Sequence, residues 1–311
     1  MSFKASIAPG ALLGFVLLAC SGCQTGRGPT WSPPLSRTPA TPTMNAPHTT
    51  DELIEFVQLA AVQVHQRGQT AFADFGVRGT AWNHDDTYLF ISDDKTGRVI
   101  FHGANPKLIG NQMVELTGAE GRRFGEFTQE TLEHSDHAWA FYKWARPGGG
   151  EPVWKASYNL RVAGPAGEKY IVGSGVYELA VDRRLVTEQV DMAVTWIEDD
   201  RDEALTLIRD PKGPFVYRDS QVFVINTKGD VVADPFYPEL TKSNQMDLKS
   251  ADGRPVQRDL VNLIEHESAG WRTGYLWPRP NGGPKGHKDI YMRRVKAGGE
   301  TLGVGAGLYV D

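Results

Sequence analysis

Residues 116–139 read LTGAEGRRFGEFTQETLEHSDHAW, and residues 248–271 read LKSADGRPVQRDLVNLIEHESAGW. The two stretches lie 132 residues apart. They are identical at seven pairs of positions: Leu116/Leu248, Ala119/Ala251, Gly121/Gly253, Arg122/Arg254, Glu133/Glu265, His134/His266 and Trp139/Trp271. A period of this length exceeds the roughly 20–50 residues of a solenoid repeat and matches a small domain. The chain is therefore predicted to contain two copies of one fold.

The similarity continues to the end of each copy, with one extra residue in the second. The further matched pairs are Tyr142/Tyr275, Trp144/Trp277, Lys155/Lys288, Tyr158/Tyr291, Arg161/Arg294 and Tyr177/Tyr309. Each copy is predicted to form a helix, a hairpin, a short second helix and three strands. This order favours an α+β fold with a mostly antiparallel sheet. The helix of the second copy is predicted to run from Arg183 to Ile208, because its apolar residues recur at helical spacing.

The N-terminus has the features of a bacterial lipoprotein. A basic start and a short apolar run over residues 1–19 predict a secretory signal peptide. Leu17 to Cys20 resembles a lipoprotein cleavage box, so Cys20 is the predicted lipidation site, with Cys23 or an ordinary signal peptide as alternatives. Residues 20–48 are rich in Pro, Thr and Ser and predict a flexible linker. The domains are predicted at 49–182 and 183–311, in the periplasm. The residue that follows the candidate cysteine, Ser21 or Gln24, is not Asp. In the sorting scheme of bacterial lipoproteins this favours the outer membrane.

Composition excludes several classes of function. The chain has 311 residues, a net charge of −5 and no basic cluster, so no nucleic-acid partner is expected. The two cysteines both lie in the N-terminal segment, so the domains lack thiolate chemistry. His134 and His137 could clasp a metal, but the second copy has Ala269 in place of the second histidine. We find no catalytic motif and predict no enzyme activity, no metal and no cofactor.

The ordered series of motifs in each copy resembles the single-Cache type of extracytoplasmic sensor domain. In the first copy these motifs are Glu120 to Arg122, Tyr142 to Trp144, Lys155 to Tyr158 and Gly173 to Tyr177. In the second they are Asp252 to Arg254, Tyr275 to Trp277, Lys288 to Tyr291 and Gly305 to Tyr309. The resemblance implies two tandem PAS-like domains, each a sheet with a long N-terminal helix. It also implies binding of a small molecule, often a short organic acid, between the sheet and its loops.

Ten residues are candidate ligand contacts: His102, Tyr142, Trp144, Lys155, Tyr158, Asp234, Tyr275, Trp277, Lys288 and Tyr291. The lysines suit an anion, and the aromatic pairs suit either a pocket wall or core packing. Tyr158 and Tyr291 follow the lysines by three residues, so they share a pocket with them only if the strand turns there. Arg161 and Arg294 could supply charge to a ligand, but we expect salt bridges on the sheet. The alternating glycines of the last strand allow close approach of a helix or a ligand, and we expect a helix.

The copies differ where His102 matches Asp234. Since an anion would be repelled by Asp234, the first copy is the better candidate acid binder. Family members usually continue into a signalling module, whereas this sequence ends at Asp311. We therefore expect a lipid-anchored periplasmic binding protein that reports to a histidine kinase or chemoreceptor, for example in chemotaxis. The alternative is a structural or assembly lipoprotein with non-functional pockets.

Overall fold

The computed structural model describes residues 28–34 and 45–310. The predicted signal peptide and both cysteines, Cys20 and Cys23, lie outside these residues. Within them, no helix combines the length and the apolar character needed to cross a membrane.

The first domain consists of three helices and five strands. They are α1 (Thr50–Arg67), α2 (Phe72–Gly76), β1 (Phe90–Asp93), β2 (Val99–His102), α3 (Phe124–His134), β3 (His137–Trp144), β4 (Val153–Ala163) and β5 (Lys169–Tyr177). The strands form one antiparallel sheet in the order β2-β1-β5-β4-β3. The predicted hairpin, second helix and three long strands are all confirmed.

The second domain repeats this plan and adds a small hairpin. Its elements are α4 (Arg183–Asp199), α5 (Arg201–Arg209), β6 (Val216–Tyr217), β7 (Ser220–Gln221), β8 (Phe223–Asn226), β9 (Val231–Ala233), α6 (Val256–His266), β10 (Ala269–Trp277), β11 (Gly286–Ala297) and β12 (Glu300–Tyr309). The main sheet has the order β10-β11-β12-β8-β9, the same arrangement as in the first domain. The predicted α+β class, with antiparallel sheets and long N-terminal helices, is confirmed.

Helix α1 begins at a capping box. The Thr49 side chain accepts a hydrogen bond from the Glu52 amide, and the Glu52 carboxylate accepts one from the Thr49 amide. The apolar face of α1 packs on β4 and β5. On β4, Ala156, Tyr158 and Leu160 belong to this core. Because side chains alternate along a strand, Lys155 and Ser157 lie on the opposite face of the sheet.

The prediction of a single helix over Arg183–Ile208 is wrong in one respect. It is broken at Asp200, whose φ of −134° and ψ of 100° are extended. The Asp200 carboxylate accepts hydrogen bonds from the amides of Asp202 and Glu203 and so caps α5. Aspartate favours such an N-cap because its side chain satisfies free helix amides, and the acidic stretch of residues 198–203 therefore contains a helix boundary.

Helix α4 joins the two domains. It packs on β11 and β12 of its own domain and also contacts α3 and β3 of the first. Trp196 donates to the Thr131 hydroxyl at 2.9 Å, and Trp139 donates to Glu188 at 3.0 Å. The buried Arg122 of the first domain donates to three backbone carbonyls of the second, those of Pro211, Gly213 and Val216. These buried polar contacts fix the geometry of the interface, because each would be costly to leave unpaired.

Part of the predicted linker contacts the first domain. The Trp31 amide donates to the Arg161 carbonyl at 2.9 Å, in a short parallel pairing with β4. The Trp31 ring packs against the core. Residues 28–34 therefore differ from the free tether that their composition predicts.

Candidate ligand pockets

Each domain has a pocket on the face of its sheet that turns away from α1 or α4. The first encloses about 410 Å³, including space open to solvent, and the second about 420 Å³. Nine sequence-matched pairs line both pockets: Tyr88/Gln221, Phe90/Phe223, Val99/Val231, His102/Asp234, Leu108/Leu240, Leu116/Leu248, Phe124/Val256, Trp144/Trp277 and Lys155/Lys288. The duplication of the sequence is thus a duplication of a pocket.

Lys155 is the central charged group of the first pocket. Its side chain is 1% exposed, and its Nζ donates to the Tyr88 hydroxyl at 2.6 Å. The Tyr88 hydroxyl lies 3.1 Å from that of Tyr177, which donates to the Ala145 carbonyl. Within the described residues, no carboxylate lies within ion-pairing distance of Lys155. Burial lowers the pKa of Lys155 to about 7, and the more distant Asp86 only partly opposes this.

Aromatic rings surround the Lys155 ammonium. Its Nζ lies 4.2 Å from the centre of the Tyr88 ring, 4.8 Å from that of Tyr177 and 5.6 Å from that of Phe90. Cation–π attraction partly compensates the lost hydration of the ammonium. It supplies no formal negative charge, so the first pocket keeps a net positive group.

His102 is a neutral donor in the first pocket. Its Nδ1 accepts hydrogen bonds from the amides of Ala104 and Asn105, at 3.3 and 3.0 Å. A neutral imidazole has one donor and one acceptor nitrogen, so Nε2 carries the proton. Burial and the nearby charge of Lys155 lower the pKa of His102 to about 4. The side chain therefore stays uncharged at neutral pH and can donate a hydrogen bond to an anion.

Tyr142 and Trp144 form one wall of the first pocket. The Tyr142 ring stacks on Phe124 with 3.8 Å between centroids, and Trp144 meets Tyr142 edge to face. The Tyr142 hydroxyl lies 3.0 Å from that of Ser157, so its polar group already has a protein partner. This wall is apolar and limits the size of a ligand.

The glycines of the last strand face the pockets, so the expected packing against a helix is wrong. A Cβ on Gly175 would lie 2.6 Å from Cε of Lys155, and one on Gly307 would lie 2.6 Å from Cε of Lys288. These contacts are too close for any larger side chain. The bare strand face is therefore the floor on which each lysine lies.

The second pocket keeps the lysine but changes its surroundings. Lys288 is 2% exposed and lies 3.5 Å from Oε1 of Gln221, the residue that replaces Tyr88. Burial lowers the pKa of Lys288 to about 8, opposed by the charges of Asp234 and Asp219. Asp234 lines the same pocket, and burial raises its pKa.

Three of the ten predicted contacts lie elsewhere. Tyr158 is on the α1 face of the first sheet beside Trp139, and Tyr291 packs on Trp271 against the core that contains α4. Both lie across the sheet from their lysines, because β4 and β11 continue without a turn at the lysines. Tyr275 is fully buried, donates to Asp259 at 2.8 Å and does not line the second pocket. The other seven residues line the two pockets.

Sequence reasoning missed Tyr88, Tyr177, Phe90 and Gln221. Tyr177 belongs to the repeated terminal motif, so its pairing with Tyr309 was an available signal. Tyr88 had none, because its partner in the second copy is Gln221, and only the folded sheet brings Tyr88 to Lys155, 67 positions later.

The expected salt bridge of Arg161 is confirmed. Its Nε lies 3.0 Å from Oδ1 of Asp94, with both side chains buried. Arg294 instead donates to the carbonyls of Ile264 and Glu265. His137 is placed between Asp136 and Glu188. Burial would lower the pKa of His137, but hydrogen bonds to these two carboxylates raise it to about 9. These groups belong to the domain framework and not to either pocket.

The two matched pockets on two matched sheets define a tandem sensor-domain architecture. The model of the family "Single Cache domain 2" matches residues 68–191 and 184–309. Together these spans cover most of the chain, which therefore belongs to the single Cache domain 2 family. Domains of this family are extracytoplasmic sensors of small molecules, and the resemblance noted from the motifs is confirmed.

Several known proteins are similar to parts of the chain. The methyl-accepting chemotaxis protein McpP of Pseudomonas putida is 36% identical over 103 residues, which are 32% of this chain and 18% of that protein. A solved Cache chemosensory domain, described for its carboxylic acid recognition, is 26% identical, with 42% of this chain and 92% of that chain covered and a TM-score of 0.34. A methyl-accepting chemotaxis protein of Vibrio parahaemolyticus is 19% identical, with 42% of this chain and 88% of that chain covered and a TM-score of 0.34.

Proposed function

We propose that the first pocket binds a short monocarboxylate and that the chain acts as a periplasmic sensory binding protein. The observation that carries this proposal is the environment of Lys155. A buried ammonium without a carboxylate partner among the described residues is costly, and a bound anion would supply the missing charge.

The pocket offers suitable contacts for one carboxylate. Lys155 would bind one oxygen, and the Nε2 hydrogen of His102 is a further donor. Most of the remaining lining is apolar, including Val99, Leu116 and Phe124. A ligand with one carboxylate and a short hydrocarbon tail satisfies both parts. A second carboxylate would be buried against this apolar wall without a partner.

Signal output and membrane attachment complete the proposal. The relative named as a methyl-accepting chemotaxis protein supports a sensory role, although the matched part is a small share of that protein. A lipid anchor at Cys20 would hold the domains at the membrane. Ligand binding would then shift a conformational equilibrium that a separate kinase or chemoreceptor detects.

The test is calorimetry of the full chain with acetate, propionate, butyrate and pyruvate. We expect one of them to bind at a single site and Lys155→Met to abolish the binding. Lys169→Met is the matched control, since Lys169 is exposed on neighbouring β5. Absence of binding by the whole panel would refute the proposal and favour a structural role for the pockets.

A further inference from the structure

The two pockets use different side chains for one structural task. Oδ1 of Asp234 accepts hydrogen bonds from the amides of Phe236 and Tyr237, at 2.8 and 3.0 Å. Nδ1 of His102 accepts from the amides two and three residues later in the same way. Both side chains therefore cap the turn that follows the hairpin. The same backbone role is compatible with a neutral donor in one pocket and a carboxylate in the other.

The exchange changes the charge that a ligand meets. In the first pocket, the neutral His102 leaves Lys155 as the charged lining residue. In the second, Lys288 and Asp234 line the space together and their opposite charges balance. A simple carboxylate would be attracted by Lys288 and repelled by Asp234, so its gain is small.

The two charges of the second pocket are held apart. Among the described residues, Lys288 forms no ion pair with Asp234 within 4 Å; the atom beside its Nζ is Oε1 of Gln221, at 3.5 Å. The Gln221 side chain also lies near Asp234, where it opposes the rise in the pKa of that carboxyl group. The pocket therefore presents a cation and an anion at separate positions, with an amide between them. Two opposite charges that do not contact each other are complementary to a ligand that carries both a negative and a positive group.

The rest of the lining limits the ligand in size and polarity. It is apolar through Phe223, Leu240, Leu248, Leu260 and Ile290, around about 420 Å³ that includes space open to solvent. We propose that the second pocket binds a small zwitterion, an α-amino acid with a short aliphatic side chain. Its carboxylate would lie on Lys288 and its ammonium at Asp234. The inference extends the proposed sensory function to the second domain and predicts that the chain detects two classes of ligand.

Matched ligand series test this inference by calorimetry on the full chain carrying Lys155→Met, which removes carboxylate binding at the first pocket. L-alanine is compared with propionate and ethylamine, and L-valine with isovalerate and isobutylamine. In each series, one analogue lacks the amino group and the other lacks the carboxyl group of the amino acid. We expect one of the amino acids to bind at one site and its amine and acid analogues to bind that site at least tenfold more weakly.

Variants assign the site and separate the two proposals. Lys288→Met and Asp234→Asn should each weaken amino-acid binding at least tenfold, whereas Lys296→Met, on an exposed position of the same strand, should not. Asp234→His should create a second site for a short carboxylate, because histidine can cap the same turn. The inference is overturned if no amino acid binds, or if amino-acid binding survives Lys288→Met. Loss of carboxylate binding in Lys155→Met reports on the proposed function alone.

Discussion

Carboxylate binding in the first pocket should depend steeply on pH. Lys155 must be protonated to bind an anion, and burial lowers its pKa to about 7 in the free protein. Raising the pH above 7 therefore removes the charge that the ligand needs. Facing groups do not titrate in the same range: the pKa of His102 is about 4, that of Tyr177 is raised to about 12, and that of Tyr88 is raised well above 10.

The magnitude follows from the protonated fraction of Lys155. With a pKa of about 7 in the free state and a much higher pKa in the complex, this fraction falls from roughly 0.9 at pH 6 to roughly 0.01 at pH 9. Affinity should fall about 100-fold, or about 2.7 kcal/mol, across this interval. The ligand contributes nothing to the change, because a carboxyl group with a pKa of about 4 is ionised throughout.

Calorimetry in two buffers of different ionisation enthalpy measures both consequences. At pH 8 we expect each bound carboxylate to take up roughly 0.9 proton, since about a tenth of Lys155 is charged before binding. Lys169→Met should keep the same pH profile. An affinity that changes less than threefold between pH 6 and pH 9, or a binding heat independent of the buffer, would refute the assignment of Lys155 as the charged contact.

Three further predictions concern stability and packing. Lys155→Met should raise the free energy of unfolding by up to about 5 kcal/mol at pH 6, with the gain shrinking as the pH rises to 10. The pKa of Lys155 is about 7 in the folded protein and 10.5 ordinarily, so burying the charged lysine destabilises the fold fully below pH 7. This destabilisation declines progressively as the pH rises from 7 to 10.5. Urea unfolding at several pH values measures the change. Arg161→Met should lower the free energy of unfolding by about 3–5 kcal/mol at pH 7, because it leaves the Asp94 carboxylate buried without its ion pair. A loss below 1 kcal/mol in the same assay would contradict that reasoning. Gly175→Ala should weaken carboxylate binding at least tenfold, because the new Cβ would lie 2.6 Å from the Lys155 side chain, whereas Gly307→Ala should leave carboxylate binding unchanged; equal effects of the two substitutions would count against separate pockets.

Much of the fold could be predicted because local patterns and the internal repeat agree. The capping box at Thr49 marks the start of α1, and period-two alternation of large residues marks the strands. Because each helix and strand occurs in both copies, the two sequences predict its position twice, and the predicted boundaries are close to the observed ones. The break at Asp200 was not predicted, because an acidic run within a helical pattern also suits an exposed helix face. Its role as a cap depends on the local backbone turn.

The candidate site was predicted less completely than the fold. Lys155, His102 and Trp144 were found because they are retained or informatively changed between the copies. Tyr158 and Tyr291 were proposed through a family motif and lie on the other face, because the strands continue straight past the lysines. Tyr88 could not be found from the sequence, since nothing local relates it to Lys155.

The sequence by itself determined that this protein has two copies of a sensor-type fold, because periodicity, caps and repeated motifs are local properties of the chain. It also located the His102/Asp234 difference, because aligned copies expose any exchanged residue. The tertiary structure alone decided what that difference means. Only the folded sheet places a lysine from β4 or β11 beside a residue from the hairpin. Burial then strengthens the interaction of these charges with a ligand, because the same charges in water would be hydrated and screened.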